Sequence, residues 1–145
     1  MDVRRVETEA ELADALAVRR EVFIEEQGVP EDLEIDGKDE AAIGFVAYSD
    51  GDPVGAARIR DYDDSTAKVE RVAVVESERE TGLGRKIMAV VEDTARAEGY
   101  EEIVLHAQAP VIGFYERLGY EITSEEFDEA GIPHREMRKS LAERA

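Results

Sequence analysis

Residues 72–86, Val-Ala-Val-Val-Glu-Ser-Glu-Arg-Glu-Thr-Gly-Leu-Gly-Arg-Lys, constrain the fold more than any other stretch, because a valine-rich strand runs through a polar turn straight into a helix. The β-branched run favours an extended chain. Gly82 and Gly84 let a backbone come close to a ligand, and a helix N-terminus presents unpaired N–H groups with about half a positive charge. Arg79, Arg85 and Lys86 add three cations within eight residues, in a chain whose 36 acidic and 18 basic residues leave a net charge of −18. Such a local reversal of sign predicts an anion, and a phosphate suits it best. The turn matches neither Gly-x-x-x-x-Gly-Lys-Ser/Thr nor Gly-x-Gly-x-x-Gly followed by an acid about 20 residues on.

The flanking periodicities predict an α/β chain with a mixed sheet. Val3 and Val6 suggest a short strand, and Thr8 with Glu11 forms a capping box opening a helix that carries Leu12, Ala15, Leu16, Arg19, Val22 and Phe23. That helix should stop near Gln27-Gly28-Val29-Pro30, before a polar stretch to Glu40. From Ala42 the period becomes two: strands over 43–49, 54–60 and 67–75 read as an antiparallel meander, with a tight turn at 50–53. A helix over 82–98, a strand over 103–107, a short helix over 110–118 and strands over 120–123 and 134–139 complete the order. His106, in the apolar strand, reads as a core histidine.

At 145 residues the chain predicts one domain, 1–145. It has no cysteine, which removes disulfides, thiolate metal sites and cysteine nucleophiles, and no metal-ligand cluster stands out. No apolar stretch has the ~20 residues of a membrane span, and no signal-peptide core is present, so a cytoplasmic protein is expected. The field of a −18 chain would repel nucleic acid and anionic lipid. With only four lysines and acids spread along the whole length, the surface resembles that of proteins working in molar salt, where the Debye length shrinks to about 3 Å.

The Arg79-x-x-Gly82-x-Gly84 turn after a valine-rich strand, within this order of elements, resembles the pyrophosphate-binding motif of the GNAT N-acetyltransferase superfamily. Four stretches resemble its ElaA-like branch: Arg20-Glu-Val-Phe-Ile-Glu-Glu-Gln27, Ala56-Ala-Arg-Ile-Arg60, Ala107-Gln108 with Phe114-Tyr-Glu-Arg-Leu-Gly-Tyr120, and Gly131-Ile-Pro-His134. The resemblance implies a mostly antiparallel sheet of six to seven strands with a splayed parallel pair and about four helices. It implies acetyl-CoA as cosubstrate, held by the backbone of Val72, Ala73 and Val74, by the turn residues Arg79, Glu80, Thr81, Gly82, Leu83 and Gly84 with Arg85 and Lys86 nearby, and by Gln108 and Phe114. Glu80 departs from the pattern, since relatives usually have a glycine there.

The implied reaction is attack of a primary amine, a small molecule rather than a protein, on the thioester carbonyl. An alkylamine of pKa about 10.4 is only about one part in 10³ neutral at pH 7, whereas a thiolate of pKa near 8.5 leaves readily. Removing the amine proton is the larger task, and Glu70 is the candidate base, provided that burial raises its pKa. Tyr115 is the candidate acid for the departing thiolate, and His134 is expected either to line the acceptor site or to brace a strand. Relatives often pair as homodimers. A catalytically silent acyl-CoA-binding module on the same fold is the alternative.

Overall fold

The computed structural model describes residues 1–141. The last four residues of the expected 1–145 domain lie outside that range. A sheet runs in the order β1 (Asp2–Arg5), β2 (Ile43–Ser49), β3 (Asp52–Asp61), β4 (Thr66–Val74), β5 (Glu102–Gln108), β8 (Ile132–Ser140) and β6 (Glu121–Ile122), with β7 (Phe127–Glu129) also on β8. The sheet has eight strands rather than six to seven, because the loop before β8 folds back on it as the three-residue β7. All pairs are antiparallel except β4 with β5.

Local chemistry accounts for most of the elements. The Thr8 capping box opens α1 (Glu9–Arg19), and the chain continues as one wide π-type turn, Arg20–Glu26, to the predicted stop at Gln27. The β2–β3 hairpin closes on the two residues Asp50 and Gly51, both at positive φ, so β3 starts earlier than the predicted turn allows. Helix α2 (Glu31–Glu34) is a single turn inside the stretch read as polar loop. Helices α3 (Leu83–Ala97) and α4 (Ile112–Arg117) occupy the predicted positions. Leu83, Ile87, Met88 and Val91 of α3 join the core with Ile59, Val69, Ile103 and Leu105 of the sheet.

The feature that positions the site is the end of the β4–β5 ladder. Parallel pairing runs only from Thr66 opposite Glu102 to Val69 opposite Leu105, although β4 continues to Val74 and β5 to Gln108. Beyond that point the strands part. A bulge sits at the fork: Ala57 of β3 faces both Arg71 and Val72, and Arg71 has φ 59°, a left-handed conformation that costs a non-glycine residue of order 1–3 kcal/mol. Its guanidinium is anchored on α2, 2.5 Å from the Glu34 carboxylate and 3.0 Å from the Leu33 carbonyl.

Candidate active site

On the open edge of β4, Val72, Ala73 and Val74 have no partner strand on the β5 side. The Val74 carbonyl accepts a hydrogen bond from Arg79 Nε at 3.0 Å, which bends the turn back on the strand. Gly82 caps α3 at φ 87°, where a side chain would be strained, although nothing lies within 4 Å of its would-be Cβ. The glycine is therefore required by backbone geometry. At Gly84 the reason is contact: a Cβ would sit 3.1 Å from Cζ of Phe114, so this glycine lets α4 lie against the turn.

The turn's side chains divide. Arg79 makes a two-pronged pair with Glu26 at 2.6 and 2.7 Å, at the end of the π-type turn. Thr81 donates to the Glu78 carbonyl, and Leu83 is buried in the core, so both offer a ligand only backbone. Lys86 is drawn away to the Met1 carbonyl at 2.7 Å, whereas Arg85 is exposed with no ion-pair partner among the described residues. Glu80 stands at φ 66°, a conformation in which glycine is at ease, and this gives its departure from the family pattern a physical meaning. At the other arm, the Gln108 and Gln27 amides hydrogen-bond each other at 2.9 Å, so the Arg20–Glu26 segment and its cap touch both sides of the cleft.

Tyr115 is buried, edge-on to Phe114 and Tyr120 at 5.0 and 5.7 Å, and its hydroxyl has no hydrogen-bond partner among the described residues. Burial pushes the phenol's pKa up, which keeps its proton in place. A tyrosine hydroxyl that makes no hydrogen bond yet is not sealed from solvent, and an open strand edge leading to a helix N-terminus, are what an acyl-CoA needs, and the residues fit it. Arg79 is held by Glu26, so a phosphate at the turn would have to compete with that carboxylate.

The expected rise in the pKa of Glu70 is not found. Burial works upward, but hydrogen bonding to Arg60 and the charges of Arg58, Lys68 and Arg60 outweigh it, and the carboxyl lies at about 2. Oε1 accepts from Arg58 at 2.9 Å and Arg60 at 2.5 Å, while Oε2 faces Arg60 at 3.1 Å and Lys68 at 3.4 Å. Arg58, only 1% exposed, continues the network to Asp36 and Asp39, and Asp39 accepts from Arg19 at 2.6 Å. Glu34, also 1% exposed, closes it between Arg19 and Arg71. The sequence motifs draw attention to Arg58 and Arg60, and Glu70 is read as a base, but nothing local points to Asp36 and Asp39 as partners. The available signal is parity, since Arg58, Arg60, Lys68 and Glu70 all fall on one face of the β3–β4 pair.

His134 is braced: Nδ1 donates to the Ile132 carbonyl at 2.7 Å, and the ring stacks on Phe127. His106 is not a core residue. It faces Glu136 across β8, and Nδ1 lies 2.9 Å from Glu129 Oε1. Glu129, which the sequence reading passed over, also stands 3.7 Å from Nε2 of His134.

A family model described as an acetyltransferase (GNAT) domain matches residues 5–141. The chain belongs to the GNAT family. Among GNAT relatives, the "Uncharacterized N-acetyltransferase YjcF" of Bacillus subtilis (strain 168) is 42% identical over 132 residues, 90% of this chain and 94% of that one. A crystal structure of an acyl-CoA N-acyltransferase from Pseudomonas aeruginosa superposes with a TM-score of 0.85 at 29% identity, covering 96% of this chain and 99% of that one. Escherichia coli ElaA superposes equally well, with a TM-score of 0.85 at 26% identity over 95% of this chain and 98% of its own. The GNAT fold and the ElaA-like resemblance both stand.

Proposed function

We propose that this GNAT protein acetylates a primary amine of a small molecule, with acetyl-CoA as donor and direct attack on the thioester. The observation that carries the reading is the fork after Val69, whose β4 arm leads to the Arg79 turn and the N-terminus of α3. In this reading the pyrophosphate lies on the backbone N–H groups at 82–84 with Arg79 and Arg85, and the pantetheine arm runs back along 74–72 toward the fork. Acetyl-CoA supplies an activated acyl group on a thiolate that departs with little help. Phe114, seated on Gly84, holds α4 against the turn, and Tyr115 donates its hydroxyl proton to the sulfur. The caged carboxylate of Glu70 favours one competing reading, a silent acyl-CoA-binding module.

Incubation with acetyl-CoA and a mixed panel of amines, read as free thiol and as acetylated product by mass spectrometry, separates the two. Amine-dependent thiol release that disappears in Gly82→Val supports acetyl transfer. Tight coenzyme A binding without thiol release for any amine would leave the silent module.

A further inference from the structure

Acetyl transfer, on which this inference rests, needs a group that takes the ammonium proton, and Glu70 is poorly suited. Its two oxygens already accept contacts from Arg58, Arg60 and Lys68. A carboxyl held at about 2 gives little driving force for receiving a proton at neutral pH. The other arm of the fork carries a better group. Val69 opposite Leu105 is the last parallel pair, so Glu70 and His106 are the first residues past it, one on each arm. Lys68, paired with Glu70 at 3.4 Å and acting on Glu129 through its charge, ties the two arms to one face of the sheet. If the pantetheine arm runs from the turn back toward the fork, the thioester ends at the level of these two residues.

We propose that His106, oriented by Glu129, is the proton acceptor for the amine on the β5 arm of the cleft. The Glu129 contact assigns the proton to Nδ1, which leaves Nε2 with its lone pair and no hydrogen-bond partner among the described residues. The side chain is 21% exposed, so an amine can reach it, whereas His134 is 8% exposed and bonded to a carbonyl. Phe127 holds the ring edge-on at 5.0 Å. The charged and titratable groups facing His106 are Glu129 on β7, Glu136 and, across Glu129, His134 on β8, and Lys68 and Glu70 on β4. An imidazole with a free ring nitrogen is a better proton acceptor for an amine than a carboxylate already engaged by three cations.

The protons balance. The ammonium group gives one proton to Nε2 of His106, which returns it to solvent. The freed nitrogen lone pair forms the N–C bond at the thioester carbonyl, and collapse breaks the C–S bond with its electron pair leaving on sulfur. The extra proton on the attached nitrogen then passes by way of solvent to Tyr115, replacing the one that Tyr115 gives to the sulfur, so that one thiol and one solvent proton result for each amide formed. His106 is thus the catalytic residue and Glu129 a positioning residue.

The test is a pH–rate profile of the wild type, His106→Gln, Glu129→Gln and Glu70→Gln with the most active amine of the panel, combined with ¹⁵N NMR of the ligand-free protein to read the imidazole tautomer. The wild type should show an acid limb in kcat that reports a single protonation. His106→Gln should lose that limb and about 10²- to 10⁴-fold in kcat, with KM for the amine within a few-fold and partial recovery at high pH. Glu129→Gln should lose about 10-fold and the Nδ1–H tautomer of His106, as a positioning carboxylate would. Glu70→Gln should keep the limb. Wild-type kcat and an unchanged limb in His106→Gln would overturn the assignment while leaving acetyl transfer intact, and His106 would then be a clip for β7. A wild type that binds coenzyme A but acetylates nothing on the panel would bring down the transfer reading and this assignment together.

Discussion

Glu70 and His106 begin the two open arms of the cleft, yet their surroundings differ in kind. Glu70 is one node of a buried lattice of Arg19, Arg58, Arg60 and Arg71 with Glu34, Asp36 and Asp39, in which the carboxylates are charged and already occupied. His106 is bonded to one carboxylate, faces Glu136 across the sheet, and has one aromatic edge and partial access to solvent. Many fixed charges of alternating sign hold geometry but cannot easily exchange a proton, because each change of charge leaves several partners uncompensated. A partly exposed imidazole bonded to a single carboxylate can change charge at less cost, since fewer partners are tied to its charge. The lattice arm braces the strained bulge at Arg71 and so keeps the fork open.

Breaking the lattice should have the largest effect. Glu34→Ala takes from Arg19 and Arg71 a carboxylate at 2.8 Å or less, leaving them only Asp39 and Asp36, and should destabilise the fold by about 3 kcal/mol in urea unfolding. A loss under ~1 kcal/mol would mean that the lattice is dispensable. Acidification probes the same arm more gently. The folded pKa of Glu70, about 2, lies below its ordinary 4.5, so its contribution is fully present above that ordinary value and is lost as pH falls through about 2. The stability gap between wild type and Glu70→Gln should therefore narrow from pH 4.5 down to about 2. A gap constant across that window would contradict the caged carboxylate.

The charge of the surface acts on both arms alike. With 36 acids against 18 bases, melting temperature should climb by many degrees between roughly 0.1 M and 3 M KCl, because screening relieves the repulsion of exposed acids while the buried lattice is little affected. A flat profile would show the surface acids to be balanced locally. A smaller effect is expected at Glu80, which places a carboxylate at the turn in a left-handed conformation. Glu80→Gly relieves that strain and should tighten coenzyme A binding several-fold at low salt, since a like charge at about 4 Å in water costs about 1 kcal/mol. The gain should shrink as salt rises.

What the sequence foretold and what it missed follow the same division between local and assembled features. The Thr8 capping box, the Asp50 hairpin and the glycine turn at Gly82 each depend on residues a few positions apart, and all three are legible in the chain. The protonation chemistry is not, because it is set by register. Glu70 acquires its arginines only when Arg58 pairs across β3, and His106 is turned from the core to the polar face by the β5–β8 pairing with Glu136. Glu129 arrives on a three-residue strand too short to announce itself by alternation. The Glu26–Arg79 pair joins residues 53 positions apart, and no local pattern could have shown that the arginine of the turn is already held by a carboxylate.

The division of labour between the arms is tested most directly by isothermal titration of coenzyme A into the wild type, Arg79→Ala and His106→Gln. A single site is expected in the wild type. Arg79→Ala should weaken it by about 10- to 100-fold, the loss of a charge-assisted hydrogen bond worth about 1.5 to 3 kcal/mol, while His106→Gln should bind within about twofold of wild type. Equal affinity in wild type and Arg79→Ala, or an equal loss in His106→Gln, would contradict an arrangement in which the β4 arm holds the cofactor and the β5 arm handles the proton.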